Sequence, residues 1–313
     1  MAIAKPAVVR VRAHAKINLG LAVLGRRADG FHEIRTIFQT ISLADDLIIE
    51  CTGAKQTSVE VTSSVEIPGE NIAARAAKAI LEKTQARVAV HIHIEKKIPM
   101  GGGLGGGSTD AAAVLLALPA MLGKQLDVSP IAASLGSDVP FFLYGGCALG
   151  TGRGEELYPL PDPAPVAGLL LSPQVHVNTA LAYKSLGRPG IAELTPHGLS
   201  PILRKIQSLA WALEVRAPRE VWAKDCENDF EEVVFRQYPV LEKLRRKLSR
   251  AGAAPARMTG SGAALFGFFP DQSAVQAAVE QFGQGALACQ ALPFSLLSRS
   301  AYQSRWKRWL RGV

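Results

Sequence analysis

The chain has 313 residues, 48% of them hydrophobic and 20% charged, with a formal net charge of +8. That length accommodates two packed domains or one large one, and that balance excludes a disordered chain. Its apolar runs fall far short of the roughly 20 residues of a membrane span, and the opening "MAIAKPAVVRVRAHAKINL" lacks an apolar core followed by a cleavage site, so a cytoplasmic protein with no stable membrane insertion is expected.

In chain order, residues 8–12 (VVRVR) and 15–24 (AKINLGLAVL) read as strands, the second holding Lys16 and Asn18 on one face by period-two alternation. Residues 25–30 are rich in turn formers, and strand-like alternation returns before Asp45 and Asp46. Residues 71–85 place apolar side chains at helical spacing, and residues 89–94 (AVHIHI) alternate as a strand. Beyond a Pro-rich stretch at 159–166, the best candidate boundary between lobes, residues 169–172 read as a strand and 179–185 and 199–213 as helices. Helical spacing over 230–250 breaks before Pro239, and residues 256–269 carry a glycine-bearing loop ahead of an apolar strand. Strands and helices alternate with local hairpins, which predicts an α+β class.

Residues 98–112, IPMGGGLGGGSTDAA, hold six glycines between Gly101 and Gly107. A flexible linker is the plain alternative, but the segment runs from a strand into the helix-forming residues 111–118. Strand, glycine loop and a helix opening on Ser108, Thr109 and Asp110 make a phosphate cradle, where outward backbone N–H groups and the helix dipole favour anions. It is not a Walker loop, because Gly107, Ser108 and Thr109 stand where Gly-Lys-Ser/Thr is required. The dinucleotide pattern is met at Gly101, Gly103 and Gly106, as any glycine-packed run would meet it, and no isolated acidic residue closes a following strand.

Cys51, Cys147, Cys226 and Cys289 have no metal-binding spacing and read as free thiols. His91 and His93 share a strand face without a third ligand, which favours a structural pair and no metal site. Much of the positive charge gathers at the end, in YQSRWKRWLRGV, read as a solvated tail that packs two indoles on the body and is dispensable for catalysis. Contact of this tail with anionic lipid or RNA is the rival reading, and no nucleic-acid partner is expected.

AKINLGL, PMGGGLGGGSTDA and MTGSGAALFGFF stand in this order, and together they resemble the three signature motifs of the GHMP kinase superfamily. RADGFHE, KKIPMGGGLGGGSTDAA, LGSDVPFFL and ENDFEEVV sharpen the resemblance to the branch that phosphorylates a cytidine-diphosphate ester of methylerythritol in the non-mevalonate route to isoprenoids. It runs from about residue 13 to about residue 269. The implied fold is two-lobed: residues 1–160 as a lobe like domain 2 of ribosomal protein S5, and residues 161–313 as a ferredoxin-like lobe with the basic tail.

The implied activity is transfer of the γ-phosphate of ATP, with Mg²⁺, to a hydroxyl of a small-molecule acceptor, by a monomer or weak homodimer. Asp138 corresponds to the family's base and Lys16 to its cationic partner. Pro99, Met100, Gly101, Gly102, Gly103, Leu104, Gly105, Gly106, Gly107, Ser108 and Thr109 would form the ATP site, with Ser108 able to help phosphate or Mg²⁺. Asn18, Phe31, His32, Asp138, Tyr183, Gly260, Ser261 and Gly262 would meet the acceptor, Phe31, His32 and Tyr183 reading the cytosine; tyrosine is common in the family where Phe31 stands. Asp110 would bind acceptor or cap the helix. The rival activities are a homoserine or mevalonate type of kinase, which has no use for a base-reading turn, and a non-catalytic sensor or RNA-binding protein of the same fold.

Overall fold

A computed structural model of the chain describes residues 6–283 and 289–311. The first five residues, residues 284–288 and the tail's Gly312 and Val313 lie outside the described residues.

The first lobe is organised by a long antiparallel hairpin of β1 (Ala7–Arg26) and β2 (His32–Gly53). The two strands expected at 8–12 and 15–24 are one, because irregularities between His14 and Lys16, and again between Asn18 and Gly20, let the chain bend without leaving the ladder. Such irregularities re-aim side chains, and here Lys16 and Asn18 both end up buried. After β3 (Ser58–Ser63) comes α1 (Ile72–Thr84), whose cap Asn71 accepts from Ala73 N at 2.8 Å. Then follow β4 (Val88–Glu95), α2 (Gly106–Met121), α3 (Ser129–Leu135), α4 (Phe141–Tyr144), β5 (Cys147–Thr151) and β6 (Glu156–Leu160). The sheet runs β3-β4-β2-β5-β6, with β1 on β2. Helix α2 is apolar around nearly its whole circumference, as a helix sandwiched between a sheet and α1 must be.

The second lobe contains β7 (Ala167–Pro173), α5 (Thr179–Ser185), α6 (Pro196–Glu214), α7 (Arg219–Trp222), α8 (Phe230–Gln237) and α9 (Pro239–Arg250). It continues with β8 (Ala256–Met258), β9 (Leu265–Phe269), α10 (Gln272–Gly283) and β10 (Cys289–Ser295). Its antiparallel sheet has the order β10-β7-β9-β8. Ala15, Ile17 and Leu19 of β1 share a core with Phe266 and Phe268 of β9 and Leu209 and Leu213 of α6, so the lobes are joined by buried apolar surface. No helix among the described residues is long and apolar enough to cross a membrane.

The last helix, α11 (Arg299–Trp309), packs its two indoles on the body as expected and goes further than a solvated tail would. It returns to the first lobe, where Tyr302 is fully buried and donates from its hydroxyl to Phe142 O. Trp306 is buried and Trp309 packs partly buried on the same core. Arg299 N binds Asp162 at 2.8 Å, fastening the helix start to the segment between β6 and β7. The reason is amphipathic: the indoles and Tyr302 face inward and Lys307, Arg308 and Arg311 face solvent.

Candidate active site

Lys16 is almost completely buried, its ammonium 3.4 Å from Asp138 Oδ2 at the mouth of the loop that leads into α4. Asn18 Oδ1 accepts from the same ammonium at 2.8 Å, and the Phe38 ring lies below it, 5.1 Å from centroid to nitrogen. A buried ammonium is tolerated only when so surrounded.

Asn18 is the hub of the site. Its Oδ1 also accepts from Gly260 N at 3.0 Å and Thr259 Oγ1 at 3.2 Å, its Nδ2 donates to Thr36 Oγ1 at 2.7 Å, and its backbone N–H donates to Thr259 Oγ1 at 3.0 Å. Lys16 N donates to Leu104 O at 3.1 Å. The stretches around Lys16, Gly103 and Gly260 are thereby tied into one structure. With its oxygen occupied by protein donors, Asn18 holds the Lys16 ammonium in place, and only the second hydrogen of its Nδ2 is left for an acceptor.

Glycines at the junction are dictated by contact. Gly103 has φ +73°, and a Cβ there would sit 2.5 Å from Thr259 O. Gly105, at φ +71°, precedes α2, and its Cβ would meet the Phe142 ring at 2.7 Å and Lys16 Cγ at 3.4 Å. Helix α2 begins at Gly106, two residues earlier than its composition indicates, and Gly105 caps it without a side chain. Asp110 is therefore inside the helix and is not its cap.

Two cavities meet at Gly103. One, of about 240 Å³, is lined by residues 99–107 together with Ile67, Asn71, Ile72, Lys96 and Asp110. Ser108 and Thr109 lie outside that lining, Ser108 half-buried in the first helical turn and Thr109 buried with no protein partner for its hydroxyl. The other, an open cleft of about 990 Å³, contains Lys16, Asn18, Phe31, His32, Asp138, Tyr183, Gly260 and Ser261. Gly262 falls behind it, where a Cβ would meet Met258 Sδ at 2.8 Å. Ser261 is linked to the start of α5 by a hydroxyl contact with Thr179 at 2.8 Å.

The aromatic side chains of the cleft are brought together from distant segments. His32 and Tyr183 stack with centroids 4.7 Å apart and planes at 25°, and Phe230 meets Tyr183 edge-on at 4.8 Å. Burial, helped by Arg26, lowers the His32 pKa and favours the neutral ring, while burial and the nearby Asp138 push the Tyr183 phenol up to about 12. Phe31 is 53% exposed on the opposite hairpin turn.

Several site residues escaped sequence reading. In the wall of the smaller cavity, Lys96 Nζ is bound by Asp45 and, at 2.8 Å, by Asp110 Oδ2; Asp45 Oδ1 accepts from the N–H groups of Lys97 and Ile98 at 2.6 and 2.8 Å. Burial raises the Asp110 pKa, and the second carboxylate adds to that against the pull of Lys96. The signal was a lysine directly before a glycine loop, but its partners lie 51 and 14 positions away. Arg153, in the turn between β5 and β6, lies over the Phe31 ring at 4.7 Å. Only its setting in GTGRGEE marks it out in sequence. His93 Nδ1 meets Thr62 Oγ1 at 2.9 Å, and among the described residues no group of three or more His, Cys, Asp or Glu side chains is placed to hold a metal ion.

Residues 71–146 match the model for the GHMP kinases N terminal domain, and residues 209–286 that for the GHMP kinases C terminal domain. A 4-diphosphocytidyl-2-C-methyl-D-erythritol kinase of Solibacter usitatus is 48% identical over 301 residues, covering 95% of this chain and 92% of the relative. One of Thermus thermophilus is 39% identical over 259 residues, covering 82% of this chain and 86% of the relative. A crystal structure of 4-(cytidine 5'-diphospho)-2C-methyl-D-erythritol kinase superposes with TM-score 0.76 at 35% identity over 92% of this chain and 98% of that one. A homoserine kinase from Cytophaga hutchinsonii superposes with TM-score 0.71 at 18% identity, over 93% and 95% of the two chains, and shares the fold alone.

Proposed function

Because the chain belongs to the 4-diphosphocytidyl-2-C-methyl-D-erythritol kinase family of the GHMP kinases, we propose that it transfers the γ-phosphate of ATP to the 2-hydroxyl of that cytidylated acceptor, giving the 2-phosphate and ADP in isoprenoid precursor synthesis. The observation that carries this reading is the meeting at Gly103 of a glycine-lined pocket and an aromatic cleft, with Lys16 and Asp138 in the cleft. ATP phosphates would lie along the backbone donors of residues 101–107 at the N-terminus of α2, where no lysine of the Walker kind is required. The acceptor would enter from the other side.

Phosphoryl transfer asks for positioning, charge neutralisation and a place for the hydroxyl proton. Asp138, one-third exposed toward the cleft, orients the hydroxyl and takes its proton; Lys16, held by Asn18, offsets the charge growing between acceptor and phosphate. The exposed Phe31 and the His32–Tyr183 stack supply faces for a cytosine, and an acceptor without a base would leave them idle. Mg²⁺ would keep waters and bind mainly through the substrate phosphates; Ser108, in the first turn of α2 just beyond the cavity lining, is the hydroxyl that would help hold it, and the ion would neutralise phosphate charge. In this reading residues 1–160 and 161–313 are the two lobes, with α11 returning to the first, and the enzyme works as a monomer or weak homodimer. The four free thiols fit a cytoplasmic setting.

The test is ADP release from ATP and Mg²⁺ with the cytidylated acceptor, beside parallel reactions with homoserine and mevalonate. Turnover confined to the first supports the reading, and turnover with another acceptor removes the cytidine pocket from it.

A further inference from the structure

The aromatic side chains leave the middle of the acceptor, two linked phosphates with negative charge, without a partner. Arg153 has the features of one. It sits on a tight turn set by Gly152 at φ +67° and Gly154 at φ +107°, and the turn is fastened to β2 by Ile34 N donating to Gly152 O at 2.8 Å. Its guanidinium lies over the Phe31 ring at 4.7 Å, and its Nε is paired with Glu155 Oε1 at 3.1 Å, while Glu155 Oε2 accepts from Arg153 N at 2.6 Å. Ring and carboxylate thus fix the plane and the stem of the side chain. Among the described residues the terminal Nη1 and Nη2 groups take part in no hydrogen bond or ion pair, and Arg153 lines the large cleft. A guanidinium held in this way keeps a two-pronged donor edge for phosphate oxygens with little ordering left to do. Arg26, Lys184 and Arg188 also line the cleft; Arg188 Nη2 is held by Asp229 at 2.7 Å, while its Nε is buried without a partner among the described residues, and Arg153 differs from all three in being laid on the Phe31 ring.

Resting on the reading above, we infer that Arg153, laid on Phe31 and pinned by Glu155, binds the diphosphate of the acceptor through its two Nη groups. Phe31 thereby has two tasks, stacking on the base and supporting the cation beside it. The competing source of phosphate is ATP, whose pocket is lined by the glycine loop and does not include Arg153.

The experiment uses the full chain, with CDP, CMP and cytidine as competitive inhibitors against the acceptor, in wild type, Arg153→Ala and Arg153→Lys. Charge-assisted contacts of this kind correspond to roughly 10- to 100-fold in affinity. Arg153→Ala should raise the acceptor KM and weaken CDP by that factor while the cytidine constant and the ATP KM stay within about two-fold; Arg153→Lys, which keeps the charge without the fork, should recover only part of the loss. Unchanged CDP inhibition in Arg153→Ala overturns the inference, as does an equal loss for cytidine and CDP, or a rise in the ATP KM in place of the acceptor KM. Should Arg153→Ala fail to fold, Arg153→Lys decides alone, since full CDP affinity there refutes the fork. Wild-type enzyme that binds ATP but not CDP overturns the kinase reading along with it, whereas wild-type CDP binding untouched by either variant removes only Arg153.

Discussion

Gly103→Ala is the sharpest test of how the site is built. The added methyl group would meet Thr259 O at 2.5 Å, where ordinary contact starts at 3.4 Å, so the glycine loop and the loop after β8 must part by about 0.9 Å. Neither loop can yield freely: Thr259 holds Asn18 through its hydroxyl, and Gly260 Cα is itself only 3.2 Å from the new atom. Alanine in the left-handed region costs about 1–2 kcal/mol and overpacking typically about 1–3 kcal/mol, which together predict a loss of about 2–5 kcal/mol. Because Asn18 positions Lys16, a shift approaching 1 Å should also lower kcat/KM by on the order of 100-fold. Gly107→Ala, in the same loop, is the stability control: its methyl group would meet only Ile72 Cγ2 at 3.6 Å, and no unusual φ is required. It should leave unfolding free energy unchanged or raise it by up to about 1 kcal/mol. Urea denaturation of both variants, with ADP-release kinetics on Gly103→Ala, makes the comparison. A Gly103→Ala protein as stable as wild type, or a Gly107→Ala protein as damaged, would refute the account of why glycine stands at Gly103.

Asp138→Asn keeps the shape and removes the base, and should lower kcat by about 10²- to 10⁴-fold while ATP affinity, read by calorimetry, changes little. Phe31→Ala should raise the acceptor KM by at least about 5-fold, the low end of one lost stacking contact, with the ATP KM unmoved; equal effects on both would misplace the cytidine. His14 gives a pH test: burial, then Arg305 and Arg12, hold its pKa down to about 3, against 6.5 for an unperturbed ring. The unfolded chain therefore takes up a proton that the folded one refuses, so this contribution is complete above pH 6.5 and is lost as pH falls toward 3. At pH 5 wild type should lose about 2 kcal/mol through His14, a loss absent from His14→Gln in urea titrations at pH 5 and 7.5. Deleting the chain after Ser298 removes the buried Tyr302 and Trp306, at about 3–5 kcal/mol for each aromatic, which approaches the stability of a whole domain. Circular dichroism should find that truncation unfolded, and a folded truncation within about 1 kcal/mol of wild type would contradict the packing of α11.

Local features were legible in the sequence because local chemistry determines them. The helix at Thr179–Ser185 was legible in full, Pro239 does separate α8 from α9, and the Pro-rich stretch at 159–166 covers the last two residues of β6 and the connection to β7. Pairing was not legible, since β2 binds β1 on one edge and both β4 and β5 on the other, an arrangement set by contacts between distant segments. The same holds for α11: its basic residues are the visible signal, whereas its destination depends on space left beside Phe142 by Gly145. Lys96 and Arg153 escaped for a related reason, because an isolated basic residue announces nothing until its carboxylate or aromatic partner is known.

What joins these pieces is a relay of contacts behind the chemistry. Tyr302 donates to Phe142 O, the Phe142 ring fills the space that a side chain at Gly105 would need, and Gly105 lies against the Lys16 stem. From the other lobe, Asn228 Nδ2 donates to Met258 O at 2.9 Å and Gly260 O at 2.8 Å, holding the loop whose Gly260 N–H and Thr259 hydroxyl engage Asn18. Lys16 is thus steadied from both lobes through Asn18 and Phe142. Damage at either end should then appear in kcat before it appears in the KM of ATP, because the pocket formed by residues 99–107 keeps its own support from Lys96, Asp45 and Asp110.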